Sequence, residues 1–255
     1  MKLENLFDLK GKNAIITGAS SGICKETAEY FAKQGVNCAL AARSEDIIRE
    51  CAQEWNRKYQ VNCIAKRCDV SSGEDVAAFA DFVKNEYQTI DILINGAGVT
   101  EKAEDITAYT EKQWDRVFDT DMKGYFLMTK HVVPVMKSMR YGRIINISSI
   151  CGMMGVGSQI GYASAKSAVA GFTNCLAVEL GKYNITANAV APGYILSGMT
   201  REGSRGHAYF KSRTALGRTG VPKDLFGTFH YLASDASGYV TGDFIYVDGG
   251  IHANL

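Results

Sequence analysis

Tyr162 and Lys166 are separated by Ala163-Ser164-Ala165, and on a helix two residues four apart project from the same face. A phenol with an ordinary pKa near 10 is a poor acid-base group at neutral pH. A neighbouring ammonium favours the phenolate and lowers that value, which brings the proton within reach of carbonyl or alcohol chemistry. The same spacing occurs in many helices as a surface pair, so its company matters. Here that company is Thr17-Gly18-Ala19-Ser20-Ser21-Gly22 upstream, Asn95-Gly96-Ala97-Gly98 in mid-chain, Ser149 ahead of the tyrosine and Pro192-Gly193 behind it.

These residues need elements to hold them, and the pattern supplies a regular set. Short apolar, β-branched runs alternate with longer helical segments. Asn13–Thr17 reads as a first strand, with a helix over 22–34 that Gly35 stops. A second strand at 36–42 leads to Ser44, which can cap a helix running to about 59. A third strand at 63–67 precedes Ser71-Ser72-Gly73-Glu74, which opens another helix. Strands at 91–95 and 142–148 flank a single helix over 111–139. The Tyr162 helix runs to about 182, and strands at 185–190 and 243–247 follow. Such alternation predicts an α/β fold, a single-domain Rossmann fold with a doubly wound parallel sheet of about seven strands. No linker or repeat divides residues 1–255. Residues 197–220 break the rhythm beyond a strand's carboxyl end and form a candidate substrate lid.

Composition excludes several function classes. The chain has 255 residues, net charge +1 and 22% charged residues, so no global field points to nucleic acid or membrane. The polar start over 1–5 lacks the apolar region of a signal peptide, and no apolar run approaches membrane-spanning length. Seven cysteines (24, 38, 51, 63, 68, 151 and 175) follow no CxxC spacing. Together these predict a reduced, cytoplasmic protein. Four histidines without ligand spacing predict no metal site.

Gly18-x-x-x-Gly22 lies between the first strand and its helix, where glycines let a phosphate approach backbone N–H groups at a helix N-terminus. With this turn, Asn95-x-Ala97-Gly98, Ser149, Tyr162-x-x-x-Lys166, Pro192-Gly193 and the closing Val247-Asp248-Gly249-Gly250, the chain resembles the short-chain dehydrogenase/reductase family nearly from end to end. The resemblance implies a general acid or base at Tyr162, a Lys166 that lowers its pKa and holds the nicotinamide ribose, and a Ser149 that hydrogen-bonds the substrate oxygen. It implies cofactor contacts from Gly18, Ser20, Ser21, Gly22 and Ile23 in the first turn. Further contacts come from Arg43 and Ser44, Asp69 and Val70, Asn95, Ala97 and Gly98, and Pro192, Gly193, Ile195 and Ser197. It also implies a homotetramer with the 111–139 and Tyr162 helices between subunits.

Two positions depart from that family's pattern. Cys24 stands where a third glycine permits close helix–strand packing, so the turn is expected to shift or cofactor binding to weaken. Asp121 stands where an asparagine is usual in a water-linked proton path through the lysine. An ionised carboxylate accepts hydrogen bonds and pairs with Lys166 but cannot donate, which leaves relay through Asp121 or loss of activity as alternatives. At the second strand's end, where an acid would select NAD(H), Ala42 is followed by Arg43. A missing acid beside a base favours NADP(H), with NAD(H) as the alternative.

The implied substrate is a small molecule. Arg201, Arg205, His207, Lys211, Arg213 and Arg218 crowd the lid against Glu202, a basic excess suited to steering an anion. The Leu6-Phe7-Asp8-Leu9 opening, the Asp248-Gly249-Gly250-Ile251 ending and Asp121 are similar to gluconate 5-dehydrogenase-type members. These features predict a keto-sugar acid such as 5-ketogluconate. A 3-oxoacyl-carrier-protein reductase is the nearest alternative, and a neutral ketone comes after it. Two other classes compete. Gly18-Ala19-Ser20-Ser21-Gly22 also fits the G-x-S-x-G elbow of α/β-hydrolases, with Ser20 as nucleophile, although that leaves Tyr162 and Lys166 unexplained. A dinucleotide-binding regulator without turnover is the other.

Overall fold

The computed structural model describes residues 6–200 and 202–254; the polar start over 1–5 and the lid cation Arg201 lie outside them. Seven strands form: β1 Asn13–Thr17, β2 Asn37–Ala42, β3 Ile64–Arg67, β4 Ile92–Asn95, β5 Gly142–Ile147, β6 Ile185–Pro192 and β7 Phe244–Val247. They lie side by side in the order β3-β2-β1-β4-β5-β6-β7, every neighbouring pair parallel. Parallel neighbours need crossovers, and helices supply them. These are α1 Gly22–Lys33, α2 Glu45–Tyr59, α3 Gly73–Glu86, α4 Glu111–Phe118, α5 Gly124–Met139, α6 Ile160–Leu180, α7 Arg205–Arg213 and α8 Lys223–Ala233.

Apolar runs become strands here because both faces of the sheet are covered. In β1, Ala14 and Ile16 join Phe31 of α1, Trp55 of α2 and Phe229 of α8 on one face. Ile15 points the other way, to Phe79 of α3, Met128 and Val132 of α5 and Leu176 of α6. Large side chains buried this completely contribute roughly 1.5–3 kcal/mol each. Chain order reverses at β1, which pairs with β2 on one side and β4 on the other. A crevice opens at such a switch point outside the strands' carboxyl ends.

The elements depart from expectation at four places. The segment expected as one helix over 111–139 is two α-helices joined by a π-helical stretch, Asp119–Lys123. Helix α8, Lys223–Ala233, was not foreseen; it buries Leu225, Phe229 and Leu232 against the sheet. Ser44 precedes α2 without a side-chain capping bond, whereas Ser72 caps α3 by accepting from Asp75 N. Residues 197–220 hold the nine-residue helix α7, and an isolated parallel bridge between Ile195 and Gly220 closes the segment at its base. No helix among the described residues is long and apolar enough to cross a membrane, and the seven cysteines are free thiols.

Candidate active site

Six strand ends build one cleft. It is lined by Gly18 and Ser20 to Cys24 after β1, Ala41 to Ser44 at the end of β2, Cys68 to Val70 after β3 and Gly96 to Val99 after β4. Ser148 and Ser149 after β5, Pro192 and Gly193 at β6, and Tyr162 and Lys166 on α6 complete it with Asp121, Ile195, Ser197, Met199 and Thr200. All but one of the residues expected at the site therefore meet in one place. Asn95 is the exception. Its side chain is fully buried and donates to Thr129 Oγ1 (3.1 Å) and Asn146 Oδ1 (2.9 Å), and Asn146 donates on to Thr173 Oγ1 (3.0 Å). That chain locks β4, β5, α5 and α6 together and leaves the cleft to the glycines that follow Asn95.

The first turn packs closely against the β4 turn. Thr17 Oγ1, itself buried, accepts from Gly96 N (2.9 Å) and Ala97 N (3.1 Å). Gly18 has φ +73°, and a Cβ there would come 2.9 Å from Ala97 Cα, so only glycine fits. Ser21 occupies the N-cap position of α1 without a side-chain capping bond, and a helix N-terminus offers N–H donors and positive potential to a phosphate. Cys24 lies in the first turn of α1. Its side chain packs beside Gly96 and Ile147 within the core, and Gly18 and Gly22 keep the left-handed conformations of a tight turn. Burial pushes the Cys24 thiol up to about 12, against the opposing pull of Lys166.

On the β2 side, Ala42 is buried and Arg43 exposed. Asp69 accepts from Ser71 N (3.1 Å) and Ser71 Oγ (2.7 Å). Burial would raise its pKa, but the Ser71 hydrogen bonds and the Arg43 and Arg67 charges hold the carboxyl below its usual range. At the other side, Gly193 N donates to Val247 O (3.0 Å), and Asp248 accepts from Gly250 N and His252 N (2.9 Å each). The closing Val-Asp-Gly-Gly motif thus braces the Pro192-Gly193 turn. The cleft's glycine turns and open helix N-terminus fit the phosphates of a dinucleotide.

Ser148 and Ser149 hold α6 and its tyrosine. Ser148 Oγ donates to Lys166 O (2.7 Å), and Ser149 Oγ accepts from Cys151 N (3.1 Å). Lys166 is 3% exposed. Its Nζ donates to Tyr125 Oη (3.0 Å) and to Ile147 O (3.0 Å), and lies 5.7 Å from the centre of the Tyr162 ring. Its charge also meets Asp121, whose Oδ2 is 3.2 Å away and whose Oδ1 accepts from Val99 N (2.7 Å). Burial would lower the Lys166 pKa, but Tyr125, Asp121 and Tyr162 more than offset it and keep the ammonium charged. The Tyr162 phenol corrects a simpler expectation. Burial raises it, and the Lys166 charge and Ser149 hydrogen bond, which pull downward, do not prevail.

Sequence reasoning missed Tyr125, Val99, Met199 and Thr200. Thr200 donates to Ile195 O and accepts from Ser197 N (3.0 Å), closing the turn that carries Ser197. Tyr125 sits in an apolar helical stretch where it reads as core, and its partner Lys166 is far away in sequence. Among the described residues, the lid's basic side chains Arg205, His207, Lys211, Arg213 and Arg218 are absent from the cleft's lining. Arg218 is held by Asp224 through Nη1–Oδ2 (2.7 Å) and Nη2–Oδ1 (2.9 Å). No histidine lines the cleft either, so Ser20 lacks the partner a hydrolase nucleophile needs there.

Similarity to known proteins agrees with this geometry. A family model described as enoyl-(acyl carrier protein) reductase matches residues 18–252. The 3-oxoacyl-[acyl-carrier-protein] reductase FabG of Staphylococcus epidermidis is 37% identical over 243 residues, 94% of this chain and 99% of that protein. Among solved structures, a short-chain type dehydrogenase/reductase from Mycobacterium marinum superposes with a TM-score of 0.93 at 34% identity, covering 98% of this chain and 99% of that one. A protein described as an NAD(P)-dependent gluconate 5-dehydrogenase from Beutenbergia cavernae, with NADP bound at low occupancy, superposes at 0.91 and 30% identity, covering 97% and 99%.

Proposed function

The chain belongs to the short-chain dehydrogenase/reductase family of oxidoreductases, and on that premise we propose that it catalyses NADP(H)-linked reduction of a ketone, with the reverse oxidation of the alcohol. The carrying observation is the convergence of Tyr162, Lys166 and Ser149 on a cleft whose opposite edge holds Arg43 and has alanine at position 42. In reduction Tyr162 gives its phenolic proton to the carbonyl oxygen, which Ser149 holds by a hydrogen bond. Lys166 stabilises the phenolate left behind. The first-turn backbone, Arg43 and Ser44 would hold the phosphates, Asp69 and Val70 the adenine, Lys166 the ribose, and the Pro192–Ser197 segment the carboxamide. Bound NADP(H) supplies the hydride.

For the substrate we place a 3-oxoacyl thioester first. The staphylococcal relative supports it, and so does the position of the lid's charges. Arg205, Lys211 and Arg213 are exposed on helix α7, which follows the cleft-lining Met199 and Thr200. Cations there suit an anionic carrier outside the cleft better than a small anion within it. A keto-sugar acid is the second reading, favoured by the structural likeness to the gluconate 5-dehydrogenase. NADPH oxidation measured with a 3-oxoacyl carrier protein, a small 3-oxoacyl thioester, keto-sugar acids and neutral ketones tests both. Turnover is expected to be fastest with the carrier-linked substrate and to weaken with salt. Turnover confined to keto-sugar acids would replace the first reading by the second, and turnover of none would defeat the reaction class.

The same reading includes a homotetramer. Trp114 and Phe126 on α4 and α5, and Ile160 and Val178 on α6, are apolar side chains open to solvent, as surfaces meeting a second copy would be. Light scattering should give four times the chain mass; a clean monomer would refute it.

A further inference from the structure

Lys166 directs hydrogen bonds to Tyr125 Oη and Ile147 O, and its third neighbour is ionic. Asp121 Oδ2 lies 3.2 Å from Nζ but makes no hydrogen bond, while Oδ1 is fixed by Val99 N. The carboxylate is fully buried in the π-helical turn Asp119–Lys123. π-turns inside helices recur at functional sites. Even the motif glycine makes room for it, since a Cβ on Gly98 would come 2.9 Å from Asp121 Oδ2 and 3.5 Å from Lys166 Nζ. Burial raises the Asp121 carboxyl, against the pull of the Lys166 charge and the Val99 N–H. The ammonium 3.2 Å away and the Val99 N–H both favour its ionised form.

We propose that Asp121 is a charge counterweight to Lys166: a positioning residue that offsets the ammonium's field at Tyr162, holds the phenol protonated and biases the site toward donating a proton, which is the direction of carbonyl reduction. This rests on the acid-base role given to Tyr162 above. In a buried site charges a few ångströms apart are screened weakly, so a carboxylate beside the ammonium cancels much of its effect on a third group. The other groups around the set are Tyr125 from α5, Cys24 from α1, Cys151 and Ser149 after β5, and Tyr109 with its neighbour Glu101 between β4 and α4. The phenols and thiols among them are all raised by burial. Of the groups that act directly on Tyr162, Asp121 is the one carboxyl, and it raises the phenol where Lys166 lowers it.

The test compares Asp121→Asn with Tyr125→Phe, which removes a hydrogen bond from the same ammonium but no charge. In Asp121→Asn the limb for alcohol oxidation, which needs deprotonated Tyr162, should move to lower pH. On its acid side oxidation then quickens about tenfold for each pH unit moved, and the alkaline limb of reduction moves down with it. Tyr125→Phe should not move either limb to lower pH. Asp121→Ser removes the same charge with less volume and should act like Asp121→Asn, which keeps the test decisive if the asparagine variant folds poorly. A limb that stays in place or moves up in both Asp121 variants would overturn the proposal and leave Asp121 as a mere tether for Lys166. NMR titration of isotope-labelled tyrosine, with Tyr162 assigned by loss of its signal in Tyr162→Phe, reads the same shift without turnover. A lowered midpoint there, in a protein that reduces no carbonyl, would support the counterweight while defeating the proposed reaction.

Discussion

The thiol of Cys24 occupies the space into which a side chain on Gly96 would project. One residue on α1 and one after β4 therefore share a single volume, and the first turn closes on the second through that contact. Where a glycine would let the helix lean on the strand directly, this chain fills the gap with sulfur. Cys24→Gly removes a buried side chain and places glycine inside a helix, which costs about 1–3 kcal/mol. For a chain of this size that is a melting temperature lower by roughly 2–12 °C. The dissociation constant for NADPH should change little, because the turn's own glycines already have their conformation. A variant that melts normally yet binds NADPH far more tightly would show that the cysteine weakens binding after all.

Tyr162→Phe keeps the ring and loses the transferable proton. Turnover should fall by at least the roughly 10²–10⁴-fold typical of a general acid, with NADPH binding retained by calorimetry. Full kcat with the true substrate would remove Tyr162 from its role.

Arg43→Ala should raise the KM for NADPH much more than that for NADH. A charge-assisted hydrogen bond contributes about 1.5–3 kcal/mol, which is roughly a tenfold to hundredfold change in preference. Ala42 offers no carboxylate to take over. Equal effects on both cofactors would return Arg43 to the solvent.

Reduction needs the protonated phenol. Because burial outweighs Lys166 and Ser149 at Tyr162, its pKa lies above the ordinary tyrosine value. The protonated form therefore dominates across the neutral range and is lost only as pH climbs past that raised value. The expected kcat/KM profile for reduction is flat through neutrality and falls at alkaline pH; oxidation rises through the same region. A reduction limb falling already near neutrality would mean that the charge of Lys166 prevails over burial.

Much of this was legible in the residues. Alternating apolar runs gave the parallel sheet because its central strands are buried on both faces, and the motif residues met because they sit at carboxyl ends of strands or, like Tyr162 and Lys166, on the helix that packs beside them. What escaped notice depends on long-range neighbours. The helix over 111–139 has no breaker at Asp121; its π-turn goes with a carboxylate buried between Val99 N and Lys166. Asn95 looked like a cleft residue because its motif is, but side-chain direction on a strand alternates, and its amide points into the core to meet Asn146. The basic lid misled for a related reason. Charge density along a sequence says nothing of which face a helix turns outward, or that Asp224 holds Arg218.

Gly152 carries the last prediction, and nothing in its sequence context singled it out. A Cβ there would lie 2.7 Å from the Lys166 carbonyl carbon, 2.8 Å from its oxygen and 2.8 Å from Ser167 N. These are backbone atoms of α6, so no side-chain rotation relieves the clash. Gly152 ends the short helix Ile150–Gly152 that Ser149 caps. Gly152→Ala must therefore push the Ser149 turn and the Tyr162 helix apart. Overpacking of this kind costs typically 1–3 kcal/mol. The lost alignment should lower kcat by about tenfold or more, with the KM for NADPH nearly unchanged because the first turn and Arg43 lie at the other side of the cleft. Gly155→Ala, where a Cβ meets nothing within 4 Å, is the matched control and should behave as the parent. Equal behaviour of the two variants in melting temperature and kcat would show that the loop after Ser149 yields freely, and that contact with α6 does not set the position of Ser149.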